Sequence, residues 1–152
     1  MIELVATSRA HILQLKLDGW RELEREMVVQ TIDPLPDGGE NFLFEHARTL
    51  FKGEEKLAVF GVWPILPGVA RAWALISDTG LKHPKALHQH ASRSLESFLR
   101  GRPYVHRIEA VVLAGHIEGS RWAQHLGFEY EGVMHNYAAS GTQDCILYSR
   151  LQ

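Results

Sequence analysis

Nine histidines and one cysteine are the side chains of this 152-residue sequence best suited to holding a metal, yet their spacing argues against it. The densest run, HPKALHQH from His83 to His90, sets His88 and His90 two residues apart. A helix points such a pair in different directions, and no carboxylate stands at a zinc-motif interval, so no metal site is expected. Cys145 lies in an alternating strand pattern without a histidine–aspartate arrangement beside it and reads as core. As the sole cysteine it also excludes an internal disulfide and any multi-cysteine cluster. Trp20, Trp63, Trp73 and Trp122 read as core or interface rather than as a ligand box. The stretch RWAQHLGFEYEG, Arg121 to Gly132, is more informative. Gly127 suits the left-handed conformation that closes a helix, and Phe128 and Tyr130 fall on one face of the strand that follows.

The chain that must position these residues has the length of one domain with a real core. Hydrophobic residues make up 45% and charged residues 22%, which is globular composition and not disorder. Sixteen Lys and Arg against 18 Asp and Glu leave a formal charge of -2, so no basic field favours nucleic acid or an anionic membrane surface. The amino terminus carries Glu3, Arg9, Lys16 and Asp18 and lacks the apolar run of a signal peptide, and no stretch is long enough to span a bilayer. A reducing, cytoplasmic setting is the expectation.

Ile2 to Ala6 reads as a strand, followed by a helix with Ser8 as N-cap and a stripe of Ile12, Leu13 and Leu17. WRELEREMVVQTI continues as a second helix until Pro34 and Pro36 interrupt it. Phe42, Leu43, Phe44 and Ala47 suggest a further helical pattern, with a strand from Thr49 to Lys52 and a turn at Gly53-Glu54-Glu55. KLAVFGVWPI and VARAWALIS form a hairpin about Leu66-Pro67-Gly68. DTGLKHP is a loop, and Pro84 opens a helix carrying Ala86, Leu87, Ala91, Leu95 and Phe98, ended by Gly101 and Pro103. VHRIEAVVLAG is a strand, HIEGSRWAQHLGF a helix, and EYEGVMHNY and DCILYSRL a strand pair around Ser140-Gly141. The order predicts an α+β fold on a mixed, mostly antiparallel central sheet flanked by helices.

In this order HIEGSRWAQHLGFEYEGVMHNY resembles the fourth helix and sixth strand of the GNAT acetyltransferase superfamily, which moves an acetyl group from acetyl-coenzyme A to an amine. The likeness is strongest to the branch that acetylates the amino termini of ribosomal proteins. Gly119 fills the small-residue position, Leu126-Gly127-Phe128 the helix end, and Glu131-Gly132 the pair beyond it. Short relatives of this kind occur in tailed phages, where a hairpin resembling FGVWPILPGVARAWALIS precedes a similarly degenerate loop. The resemblance implies one acetyltransferase domain over residues 1–152, with coenzyme bound where strands 4 and 5 part. Pantetheine would pair with the backbone of Leu75, Ile76 and Ser77, and pyrophosphate would rest on Thr79 to Lys85, with Gly80 and Lys82 between.

Three departures from the family pattern stand out. The pyrophosphate loop, usually Gln or Arg, two residues, Gly, one residue, then Gly or Ala, is here SDTGLKHPKA, with one glycine and a proline that has no N–H. Lys82, His83 and Lys85 either replace the missing amides with positive charge or are incidental to a solvated loop. His116 stands where the family often has an asparagine touching the coenzyme arm, or serves as a helix cap in its place. The tyrosine that protonates the departing thiolate falls on Ala123, so that role is vacant. A thiol of pKa about 8.5 still leaves as its anion, and a general acid adds about 10²–10⁴ in rate.

Acetyl transfer needs a neutral amine. An α-amine of pKa about 8 is roughly a tenth neutral at pH 7, whereas a lysine at about 10.4 is neutral in only a few molecules per ten thousand. Under the resemblance an α-amine, on a protein or peptide, is therefore the expected acceptor. Asp78, Glu109, and Glu129 or Glu131 are candidates for the base or for holding a water, although each could be a surface carboxylate. Tyr137 and Tyr148 are candidates for the missing acid if the last strands fold over the cleft. A homodimer is compatible with the sequence. The competing class is a catalytically weak or inactive GNAT-like scaffold for binding or assembly, as in a phage particle.

Overall fold

The computed structural model describes residues 1–32, 44–138 and 141–152. Its chain order is β1 (Ile2–Ala6), α1 (Arg9–Leu13), α2 (Trp20–Ile32), β2 (Ala47–Lys52), β3 (Glu55–Leu66), β4 (Val69–Ile76), α3 (Pro84–Arg100), β5 (Arg107–Leu113), α4 (Ile117–His125), β6 (Glu129–Ala138) and β7 (Gln143–Leu151). The seven strands form one sheet in the order β1-β2-β3-β4-β5-β7-β6. Every pairing is antiparallel except β4 with β5, which are joined through α3. This is the α+β architecture expected from the sequence.

Period-two alternation sorts the side chains onto two faces. On β4, Ala70, Ala72, Ala74 and Ile76 point toward α3 and α4, where they meet Leu87, Leu95, Phe98, Ala123 and Phe128. Trp73 and Leu75 point the other way, into a cluster with Ile12, Leu15 and Val28 from the α1 and α2 side. On β5, Ile108, Ala110 and Val112 take the first face, and Val111 and Leu113 the second, where Leu23 and Met27 of α2 cover them.

Several local expectations hold. Ser8 caps α1 in a capping box with His11, Pro84 occupies the first turn of α3, and Pro67-Gly68 turns the β3–β4 hairpin with Gly68 at φ +77°. Helix α4 ends in a Schellman arrangement: the Phe128 N–H donates to Ala123 O at 3.0 Å and the Gly127 N–H to Gln124 O at 3.0 Å, with Gly127 at φ +92°. Phe128 is then carried inward and is 3% exposed.

Two expectations are corrected. Helix α1 stops at Leu13, so Leu17 packs on the core from the connection to α2 and not from a helix stripe. Strand β2 begins at Ala47, whose pairing with Gly61 of β3 takes it out of the helical pattern proposed for Phe42 to Ala47. Phe44 is buried just ahead of it, while Phe42, Leu43 and Ser140 lie outside the described residues.

Candidate active site

Strands β4 and β5 pair only from Val69–Arg107 to Ala72–Ala110. Beyond that rung β4 continues to Ile76 and β5 to Leu113, so four residues of one and three of the other flank an open gap. A cavity of about 790 Å³ runs through it, touching Ala74, Ile76, Leu87 and Trp122 on the α3–α4 side and Arg21, Glu24, Trp63 and Trp73 on the α2 side.

The end of β4 offers less free backbone than its sequence implied. The Ser77 N–H donates to Leu57 O at 2.9 Å, its hydroxyl donates to the same oxygen at 3.0 Å, and its Oγ accepts from the Gly80 N–H at 2.9 Å. Because backbone direction alternates, Leu75 faces β3 as Ser77 does, while Ala74 and Ile76 direct N–H and C=O toward the gap. The following residues, Gly80–Lys82, wind into a 3₁₀ turn. There the Leu81 N–H donates to Ser77 O, the Lys82 N–H to Thr79 O and the His83 N–H to Gly80 O, at 2.9–3.1 Å. Gly80 is required by proximity: a Cβ there would lie 2.0 Å from the Leu57 carbonyl oxygen. The amides left for an anion are those of Lys85 and Ala86 in the first turn of α3. They border a depression of about 330 Å³ lined also by the side chains of Lys82, His83 and Gln89.

Of the carboxylates singled out in the sequence, Asp78, Glu109 and Glu131 fall into ion pairs. Glu109 accepts from Arg71 at 3.2 Å and from Arg107 at 2.9 Å and 3.0 Å. Arg107 also holds Glu131, through Nη1 at 2.7 Å and through Nη2. That guanidinium, assisted by Ser149, holds the Glu131 carboxyl well below the usual range, at about 2, and Glu131 in turn raises the Arg107 pKa. Arg71 donates to the Tyr137 hydroxyl at 2.9 Å, which brings Tyr137 to the cavity wall. Tyr148 is 4% exposed and packs with Phe128 and Ile108 on the opposite face, away from the α2 side of the gap. Glu129 is exposed on the edge strand β6. Asp78, half exposed at the end of β4, pairs with Arg21 of α2.

His116, at the N-cap position of α4, makes no side-chain capping bond. Its Nδ1 instead forms an ion pair with Glu24 of α2, and both residues border the cavity. The carboxylate raises the imidazole pKa against the opposing effect of burial. Gly119 makes room for the ring, since a Cβ there would lie 2.8 Å from His116 Nδ1. The small-residue position of the motif thus has a local reason.

Arg21, Glu24 and Arg71 are the site residues that sequence reasoning missed. Nothing in their local pattern marks them, because their partners lie on other elements. Trp63 and Trp73, read as core, do pack there, stacked 5.4 Å apart between ring centroids, but they also border the cavity. The indole N–H groups of Trp73 and Trp122 and the Nε of Arg71 are buried without a hydrogen-bond partner. Each belongs to a residue on the cavity wall. No helix among the described residues is long and apolar enough to cross a membrane.

No protein-family model and no curated protein matches the sequence. Solved structures match over 99% of the chain. An acetyltransferase from Salmonella typhimurium that modifies the N-terminal serine of ribosomal protein L7/L12 superposes with a TM-score of 0.69 at 17% identity, over 95% of its own length. A Bacillus subtilis acetyltransferase in complex with CoA gives 0.63 at 17% identity, over 97% of its length. The Escherichia coli ribosomal-protein-S18-alanine N-acetyltransferase gives 0.63 at 16%, over 94%. These are bacterial enzymes and lend the phage resemblance no support. At such identities the likeness speaks for architecture alone, and on that footing the chain has the fold of the GNAT acetyltransferases.

Proposed function

We propose that this protein transfers an acetyl group from acetyl-coenzyme A to an amine, by preference the α-amine of a protein or peptide in the cytoplasm. The observation that carries the reading is the parting of β4 and β5 into a cavity that opens on both faces of the sheet. One reactant can enter from the α3 side and the other from the α2 side. Pantetheine would pair with the backbone of Ala74 and Ile76 in the gap beside Leu75 and Ser77. Pyrophosphate would meet the Lys85 and Ala86 amides with Lys82 and Lys85 as counter-charge, since Thr79 and Gly80 serve the turn. The buried Trp122 indole offers one more donor to the coenzyme arm.

Support for an α-amine comes from chemistry: Asp78, Glu109 and Glu131 are held in ion pairs with arginines, so an acceptor already partly neutral at pH 7 is favoured. Of the structurally similar enzymes named above, one modifies the N-terminal serine of ribosomal protein L7/L12 and another is a ribosomal-protein-S18-alanine N-acetyltransferase.

Calorimetry and thermal shift with acetyl-coenzyme A test the reading directly. Mass spectrometry then compares a peptide bearing a free α-amine with the same peptide blocked there and carrying a lysine. Saturable heat, a raised Tm and acetylation of the first peptide are expected. No heat and no shift at millimolar coenzyme would overturn the reading. A second reading, a non-catalytic scaffold on this fold, is favoured by one observation: the loop after β4 uses its own amides internally. Coenzyme binding decides between the two.

A further inference from the structure

Asp78, Glu109 and Glu131 are committed to arginines and Glu129 lies exposed on the edge strand, whereas Glu24 and His116 form an ion pair on the cavity wall. Glu24 comes from α2, on one side of the sheet, and His116 from the start of α4, directly beyond the end of β5. The imidazole lies against Gly119 and near Val112, a residue that flanks the gap. We propose that His116 is the catalytic base and acid of the acetyl transfer and that Glu24 is its positioning residue; the proposal rests on the acetyltransferase reading above.

The ion pair with Glu24 assigns the proton to Nδ1 and leaves Nε2 with its lone pair. An incoming ammonium gives one proton to Nε2. The freed nitrogen pair forms the C–N bond at the acetyl carbon, the second N–H proton passes to solvent, and the C–S bond breaks. The imidazolium then returns its proton to the departing sulfur. The products are the N-acetyl amine, the coenzyme thiol and one proton released to solvent, with His116 neutral again. One group thereby serves both as base and as the acid left vacant at Ala123. The charged groups acting on this ring are Glu24 and Arg21 from α2 and Glu118 from α4; the two glutamates raise its pKa and Arg21 lowers it. An imidazole whose pKa the neighbouring carboxylate raises is suited to taking a proton from an α-amine of pKa about 8.

The test is the pH profile of acetyl transfer to a peptide with a free α-amine, with acetyl-coenzyme A affinity measured in parallel. In the wild type kcat/KM rises through an inflection above 6.5. His116→Gln is expected to lose about 10²–10⁴ in kcat and the inflection with it, while coenzyme affinity stays within about threefold. Glu24→Gln keeps the imidazole and shifts the inflection to lower pH, and Glu24→Asp restores part of the shift. An NMR titration of the His116 ring in the wild type and in Glu24→Gln checks the coupling even if His116→Gln does not fold. Turnover by His116→Gln within threefold of wild type with the same profile, or a ring titration indifferent to Glu24, overturns the dyad alone. Coenzyme binding without transfer at any pH overturns the dyad and leaves the binding half of the parent reading. No binding at all overturns both.

Discussion

Arg21 and Glu24 stand three residues apart on α2, and the residues they pair with across the fold, Asp78 and His116, stand just past the ends of β4 and β5. One turn of helix therefore spans the mouth of the gap and is tied to both of its sides. The His116 pair is protonation-dependent with a defined sign. Its folded pKa is raised, so its stabilisation is fully present below 6.5 and is lost as pH rises through the folded value. Amide exchange in α2 should accelerate across that rise, and Glu24→Gln should abolish the pH dependence.

Glu131 has the opposite sign. Its folded pKa, about 2, lies below the ordinary 4.5, so its contribution is present above 4.5 and disappears as pH falls toward 2. Acid denaturation followed by circular dichroism should begin at higher pH in Arg107→Gln, while Glu131→Gln should have a flatter stability profile between those limits.

Glu109 is tied to Arg71 and Arg107 with its side chain 16% exposed. Glu109→Gln should lower stability by about 1–3 kcal/mol by leaving charge-assisted hydrogen bonds incomplete. Its effect on kcat should remain under about tenfold, because the carboxylate serves the arginines. A loss of 10³ with an unchanged denaturation midpoint would return the role of base to Glu109.

Gly127→Val should destabilise by more than the roughly 1 kcal/mol of a propensity change, since a β-branched residue cannot take φ +92° cheaply. Phe128→Ala should cost about 3–5 kcal/mol as a buried aromatic deletion. Denaturant melts check both. Wild-type midpoints would contradict the helix stop and the inward packing.

Lys82→Ala with Lys85→Ala should weaken acetyl-coenzyme A binding about tenfold at low salt and much less at high salt, because both side chains are exposed and screened. An unchanged affinity would assign the pyrophosphate to the amides of α3 alone.

Periodicity made most of the fold legible before any coordinates. KLAVFGVWPI and VARAWALIS marked a hairpin about Leu66-Pro67-Gly68, Pro84 marked a helix start, and Leu126-Gly127-Phe128 marked a helix end. Each of those signals is local, carried by residues within one or two turns or pleats. The sequence by itself thus determined the elements, their order and the α+β class. Tertiary structure alone decided which charges meet. Glu109 acquires Arg71 because a parallel crossover sets β4 beside β5, and Asp78 and His116 acquire Arg21 and Glu24 because α2 crosses the end of the gap. It also decided that SDTGLKHPKA turns its amides inward, since Gly80 must clear the Leu57 carbonyl of a strand more than twenty residues earlier. Propensity and pattern encode short-range geometry; ion pairs and close backbone approaches between distant segments exist only once the sheet has brought those segments together.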